Sequence, residues 1–216
     1  MPASGNVAIS LLRPTTWLWP FPFGLSVDWL TVNAANPERK SARGRVYCLR
    51  GQGIVFSPGM ALICEKLRPE GYYCRDLRCM GDALVVRETR TDRARGIPLC
   101  PIILAGHSAG GRAAIHASAQ LASLGIPVAL LITVDVAIPP VVPSNVRRAI
   151  NIYRTNQRIY PAGPLHCSPD SETLIENMDL DSPQSPIHQP GIHHLNITSI
   201  PAIQNLILDA IRTTTP

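Results

Sequence analysis

Apolar residues are grouped along most of this 216-residue chain, and the groups are of two kinds. Short continuous runs of apolar and β-branched residues predict buried strands, whereas apolar positions that recur every three or four residues predict amphipathic helices. The predicted strands are residues 44–50, 71–77, 101–105, 126–134, 148–153 and 174–178. The predicted helices are residues 58–67, 82–95, 112–124 and 200–211, with Ser57 as the N-cap of the first.

Strands and helices alternate in this series, and the central strands are apolar throughout. That pattern is typical of a mostly parallel sheet covered by helices on both faces, so we expect a three-layer α/β/α sandwich. Ligand sites in such sheets lie at the carboxyl ends of the strands. Residues 42–216 are predicted to form a single domain, and residues 1–41 an N-terminal arm or a degenerate signal segment.

The N-terminal segment contains apolar stretches, but Arg13, Asp28 and several prolines interrupt them. No stretch reaches the ~20 residues of a membrane-spanning helix, so no integral membrane span is expected. The basic n-region of a secretory signal is also missing, because the first basic residue is Arg13. The sequence therefore favours a cytoplasmic protein, with export as the alternative if residues 1–34 act as a degenerate signal.

The net charge of +5 comes from arginines that are scattered along the chain. No basic run interleaves with aromatic residues, so no nucleic-acid partner is expected. The six cysteines form no CxxC pair and show no zinc-site spacing, and neither a metal nor an organic cofactor is predicted. Cys74 and Cys79 are close enough in sequence for a disulfide, a question that the sequence leaves open.

The segment Gly106-His107-Ser108-Ala109-Gly110 stands between a predicted strand and a predicted helix. This context identifies it as a nucleophile elbow, in which a sharp turn forces the serine into a strained backbone conformation. The alternatives are a glycine-rich turn without chemistry and a phosphate-binding loop. A phosphate loop favours a lysine after the glycines, where this chain has Arg112 and Ala113. Ser108 is therefore the predicted nucleophile.

A serine nucleophile needs a base, and in this kind of fold the triad follows the order Ser, Asp or Glu, His. Asp135 directly follows the strand after the elbow and is the favoured acid. His194, in the loop before the last helix, is the favoured base. The rival acids are Asp170, Asp179 and Asp181, and the rival bases are His188 and His193.

The oxyanion formed in acyl transfer needs two backbone N–H donors. One is expected from Ala109, directly after the nucleophile. The other is expected from the loop that follows the first strand, with Gln52 as the first choice and Gly53 as the second.

On these motifs the chain resembles the α/β-hydrolase superfamily and, more narrowly, small lid-poor bacterial hydrolases of the esterase, thioesterase or lipase-like kind. The likeness spans residues 44–212. It is carried by residues 50–51, 55–60, 106–111, 132–135, 143–148, 151–153 and 193–197. The resemblance implies a triad of Ser108, Asp135 and His194, because the expected histidine is followed by an apolar residue, Asn and Ile. Many relatives carry an aspartate where this chain has Ala61.

The function implied is hydrolysis of small carboxylic esters with short or medium acyl chains, through an acyl-enzyme intermediate. The loops 136–143 and 160–190 are expected to line the substrate pocket. Thioester and lactone hydrolysis use the same tetrahedral chemistry and stay as alternatives. So do a transferase, in which an alcohol replaces water, and a non-catalytic binding protein on the same scaffold.

Overall fold

The computed structural model describes residues 37–40, 42–52, 57–157 and 161–215, which contain six strands and four helices. The strands are β1 (Arg45–Leu49), β2 (Tyr73–Leu77), β3 (Ile102–His107), β4 (Val128–Val134), β5 (Val146–Tyr153) and β6 (Leu174–Asp179). The helices are α1 (Pro58–Leu67), α2 (Asp82–Ala94), α3 (Ala109–Ser123) and α4 (Pro201–Thr214). All the predicted elements are present, although α3 begins at Ala109 rather than at residue 112.

The six described strands form one sheet in the order β2-β1-β3-β4-β5-β6, and every neighbouring pair is parallel. The chain first moves from β1 outwards to β2 and then crosses back over β1 to β3. This reversal opens a crevice between the carboxyl ends of β1 and β3, which is where parallel α/β sheets bind ligands.

Helices cover both faces of the sheet, because successive side chains of each strand point to opposite sides. On one face, Val46 and Cys48 of β1 belong to a core that includes residues of α1 and α4. On the other face, Tyr47 and Leu49 belong to a core with residues of α2 and α3. The expected three-layer α/β/α sandwich is therefore confirmed.

Ser57 immediately precedes α1, but its side chain makes no capping hydrogen bond to the helix. Ser57 therefore occupies the predicted N-cap position but does not cap α1 with its side chain, because its backbone is left-handed (φ 73°) and its hydroxyl is bound elsewhere. The Ser57 Oγ accepts the Gly51 N–H (2.9 Å) and contacts His107 Nδ1 (2.5 Å).

All six cysteines are free thiols. Cys74 lies in the core covered by α1 and α4, while Cys79 follows β2 and is half-buried. The prediction of an arm or signal segment at residues 1–41 falls almost wholly outside the described residues. None of the helices described in this structure has the length and apolar character needed to cross a membrane.

The turn from β3 into α3 brings the backbone unusually close to β1. A Cβ on Gly110 would lie 2.2 Å from the Leu49 carbonyl oxygen and 2.4 Å from that of Arg50. A Cβ on Gly106 would lie 2.4 Å from the Gly110 carbonyl oxygen. Both glycines are therefore required by close backbone approach, and backbone atoms cannot swing aside as a flexible side chain does.

We predict that Gly110→Ala lowers the free energy of unfolding by about 3 kcal/mol or more, the upper end for an overfilled core, because β1 and α3 must separate. Gly163→Ala is the matched control, since a Cβ there would meet no atom within 4 Å. Urea denaturation of both variants measures the effect. Equal stability of the two variants would contradict the close packing at the elbow.

Candidate active site

Ser108 occupies the sharp turn between β3 and α3, with φ 54° and ψ −123°. These angles are unfavourable for a residue with a side chain, and the surrounding hydrogen bonds hold them. The Ser108 N–H donates to the Val134 carbonyl (2.9 Å), and the Ser108 carbonyl accepts from Gly111 N (3.0 Å). The serine thus stands at the carboxyl edge of the sheet and at the N-terminus of α3.

Asp135 follows β4, the strand beside β3, and its side chain is fully buried. Its backbone N–H donates to the Ile152 carbonyl (2.7 Å), which fixes the residue beside the end of β5. The carboxylate accepts at both oxygens. His194 Nδ1 lies 2.7 Å from Oδ2, and Gln157 Nε2 donates to Oδ1 at 2.6 Å. These bonds compensate the carboxylate for its loss of water.

His194 lies in the loop before α4 and is only 8% exposed. Its Nδ1 faces Asp135, and its Nε2 lies 3.1 Å from Ser108 Oγ. A carboxylate that accepts a hydrogen bond from Nδ1 keeps the imidazole proton on Nδ1. Nε2 then carries no proton and can accept one from the serine. The three residues therefore form one hydrogen-bonded series in the order hydroxyl, imidazole, carboxylate.

The rival acids and bases lie outside this series. Asp181 is bound by the Arg154 guanidinium (2.7 Å), and Asp179 accepts the Thr155 hydroxyl (2.8 Å). Both belong to the end of β6 at the edge of the sheet. Asp170, His188 and His193 are exposed, and the His193 Nδ1 accepts the Leu195 N–H (3.3 Å).

His107, the residue before the serine, packs against the base. The rings of His107 and His194 have centroids 4.7 Å apart and are tilted by 41°. Burial, together with the nearby His194, lowers the pKa of His107 to about 4, so its ring is neutral at neutral pH. Its Nε2 is buried and makes no hydrogen bond with the described residues.

His107, Asp135 and His194 also have potential metal-ligand atoms within 4.8 Å of one another. The hydrogen bonds given above engage the donor atoms of this cluster with protein groups: Nδ1 of His107 with Ser57, and both nitrogens of His194 with the triad partners. The cluster is therefore organised as a hydrogen-bonded array around Ser108.

A cavity of about 250 Å³ opens over the serine. Gln52 and Ala109 both line it, together with Gly51, His107, Ser108, His194 and Leu195. Ala109 is the first residue of α3, so its amide has no acceptor one turn earlier in the helix. The two predicted oxyanion residues are thus brought to the same cavity as the nucleophile. Gly53, the second choice, lies outside the described residues.

A second cavity, of about 480 Å³, adjoins the first at Ala109, which lines both. It runs along α3 towards the start of α2 and the loop after β4, and Met80 and Val141 lie on its walls. Arg112 donates hydrogen bonds to the carbonyls of Ile138 (2.6 Å) and Ala137 (3.4 Å) and so secures that loop. We call this cavity the α3 groove.

The expectation for the two pocket loops is met only in part. Pro140 and Val141 of the loop 136–143 line the α3 groove. None of the described residues in the range 160–190 lines either cavity. The reason is topological, since β6 and its neighbouring loops lie at the far edge of the sheet, three strands away from β3.

Two further residues at the site were not predicted. Gln157 supplies the second hydrogen bond to Asp135 from the loop after β5, and no sequence signal marks it. Ser57 binds both Gly51 and His107, although its sequence context, Ser-Pro before a helix, is that of an N-cap.

Comparisons with known proteins show a similarity of fold. No protein-family model matches the chain, and no curated protein matches it in sequence. Among solved structures, one from work on the metagenome-derived lipolytic enzymes LipS and LipT aligns at 13% identity over 80% of this chain and 95% of its own, with a TM-score of 0.50. The RedJ thioesterase of Streptomyces coelicolor aligns at 10% identity over 84% and 94%, with a TM-score of 0.49.

A lipase/esterase from Lactobacillus plantarum aligns at 15% identity over 82% of this chain and 88% of its own, with a TM-score of 0.49. Identities this low are evidence for the fold only. The covered parallel sheet and the elbow are those that the sequence resemblance implied. The described part of this chain has the α/β-hydrolase fold.

Proposed function

We propose that this protein is a serine hydrolase that cleaves carboxylic esters through an acyl-enzyme intermediate. The observation that carries the proposal is the continuous series from Ser108 Oγ to His194 Nε2 (3.1 Å) and from His194 Nδ1 to Asp135 Oδ2 (2.7 Å). The series lies at the carboxyl edge of the sheet, beside a cavity that a small ester can enter.

In the proposed reaction, Ser108 Oγ attacks the ester carbonyl carbon while His194 Nε2 takes the hydroxyl proton. Asp135 holds the imidazole in place and stabilises the imidazolium that forms. The amides of Ala109 and Gln52 donate to the oxyanion. The C–O bond to the alcohol then breaks, and His194 returns its proton to the leaving alkoxide. A water activated by the same histidine releases the acid and restores the serine.

The α3 groove is the proposed site of the acyl chain. It begins at Ala109, the residue whose amide would hold the carbonyl oxygen, so a chain attached to that carbonyl has a direct path into it. Met80 and Val141 on its walls are 85% and 63% exposed, so the groove offers apolar surface that an acyl chain can cover. This supports short- to medium-chain acyl substrates.

The nucleophile is tested with p-nitrophenyl acetate, butyrate and octanoate. We predict that Ser108→Ala lowers kcat by at least about 10⁴-fold, because both the attacking oxygen and the acyl-enzyme are lost. A fluorophosphonate probe is expected to label the wild type at Ser108 and to leave the variant unlabelled. Ser123→Ala, an exposed serine at the end of α3, is the control and is expected to keep full activity.

Absence of both turnover and labelling in the wild type would contradict the proposal and favour a binding protein on a hydrolase scaffold. The rates of hydrolysis of thioester and lactone substrates with the same acyl group then show which class of bond the protein cleaves best. An added alcohol that appears in the ester product would instead indicate acyl transfer.

The α3 groove is tested with Val141→Asp. We predict that kcat/KM for the octanoate ester falls by about tenfold, because the charge opposes burial of several methylene groups, each contributing about 0.8 kcal/mol. The acetate ester is expected to be hydrolysed at the wild-type rate. Leu174→Asp is the matched control, since Leu174 is equally exposed (67%) but lies on β6. A similar loss for acetate and octanoate would place the acyl chain elsewhere.

A further inference from the structure

Ser57 is fully buried and adopts a left-handed backbone (φ 73°), a conformation that residues with side chains rarely take. Backbone strain of this kind persists only where the surrounding contacts hold it, and it concentrates at functional sites. No capping bond to α1 accounts for it. The contacts that the Ser57 hydroxyl does make all lead to the candidate active site.

The hydroxyl joins two segments of the site. Ser57 Oγ accepts the Gly51 N–H at 2.9 Å and lies 2.5 Å from His107 Nδ1. The hydroxyl proton itself needs an acceptor, and Nδ1 of the neutral His107 ring provides one. In the Nε2–H tautomer of His107 the bonds run in one direction, from Gly51 N–H to Ser57 Oγ and from Ser57 O–H to His107 Nδ1. In the Nδ1–H tautomer, Ser57 Oγ would accept both bonds.

Both partners of Ser57 touch the proposed catalytic groups. Gly51 precedes Gln52 and packs so closely that an added Cβ would lie 3.1 Å from His107 Nδ1 and 3.5 Å from Ser108 Cβ. His107 packs its ring against His194. A change in the Ser57 hydroxyl would therefore move the loop that carries Gln52 and the ring that supports the base.

We propose that Ser57 is a positioning residue of this site, whose hydroxyl fixes both the loop of the oxyanion donor Gln52 and the His107 ring that supports His194. The proposal rests on the hydrolase function proposed above. Among the described residues the Ser57 hydroxyl bonds to Gly51 and His107, and Ser57 is not among those that line the cavity, so it acts through these two partners.

The charge state of His107 agrees with this arrangement. The titratable groups that face the ring are His194 and Asp135. A second cation beside His194 would oppose the imidazolium that forms during catalysis. Because burial lowers the pKa of His107 to about 4, the ring stays neutral and accepts the Ser57 hydroxyl while His194 is charged.

The kinetic test compares Ser57→Ala and Ser57→Gly on p-nitrophenyl butyrate. Both variants lose the hydroxyl, but glycine also accommodates the left-handed backbone. We expect kcat to fall by about 10- to 100-fold in both, with KM within about twofold, the size of effect that misplacement of a catalytic group produces. Ser118→Ala removes another fully buried serine, whose hydroxyl donates to the Ala114 carbonyl within α3, and is expected to keep full activity.

A second comparison uses substitutions of His107, the partner of Ser57. His107→Gln retains an acceptor for the Ser57 hydroxyl and is expected to keep a larger share of kcat than His107→Leu, which has none. Full kcat in Ser57→Gly would overturn the proposal, because the serine would then be a strained structural residue only. So would equal activity of the two His107 variants.

A second readout needs no catalytic activity. ¹⁵N NMR of the histidine side chains is expected to show His107 as the neutral Nε2–H tautomer from neutral pH down to about pH 5, and to show an altered Nδ1 signal in Ser57→Ala. The opposite tautomer in the wild type would overturn the proposal. An inactive wild type that shows the expected signals would overturn the hydrolase function while leaving the Ser57–His107 bond established.

Discussion

The close approach of α3 to the end of β1 is the constraint on which the rest of the site depends. Gly110 lies so near the carbonyls of Leu49 and Arg50 that no side chain fits between them. This contact makes the turn after β3 sharp, and the sharp turn places Ser108 at φ 54° above the sheet edge. It also brings the Gly51–Gln52 segment beside the nucleophile. The strain at Ser108 is balanced by backbone hydrogen bonds to β4 and within the first turn of α3.

Parallel strands gather the remaining groups, because their carboxyl ends all meet at one edge. β4 contributes Asp135, the loop after β5 contributes Gln157, and the loop before α4 brings His194 back over β3. A buried carboxylate is stable only when its oxygens are bonded, and here the imidazole and the amide occupy one oxygen each. The same bonds that stabilise Asp135 therefore hold His194 in the orientation that the proposed acyl transfer needs.

Much of this arrangement was predictable from local pattern. The apolar runs predicted all six strands of the described sheet, and the Gly-x-Ser-x-Gly segment predicted the elbow. The order Ser, Asp, His limited the candidates, and the places of Asp135 after β4 and His194 before α4 favoured the residues that the fold brings into contact with Ser108. Ser57 is the N-cap residue of α1 as predicted, but the direction of its hydroxyl was missed, because a serine before Pro58 has the same local sequence whether its hydroxyl caps a helix or turns into the core. Gln157 has no local signature at all.

The sequence by itself determined the elements, their parallel arrangement and the identity of the candidate nucleophile, because each depends on residues that are neighbours along the chain. Only the tertiary structure decided which of the late acids and histidines meet Ser108, where the α3 groove runs, and what Ser57 binds. Those contacts join residues far apart in sequence: 86 positions separate Ser108 from His194, and 50 separate Ser57 from His107. Their formation depends on how the strands are ordered in the sheet and how closely the helices pack on it, and no local sequence pattern specifies either.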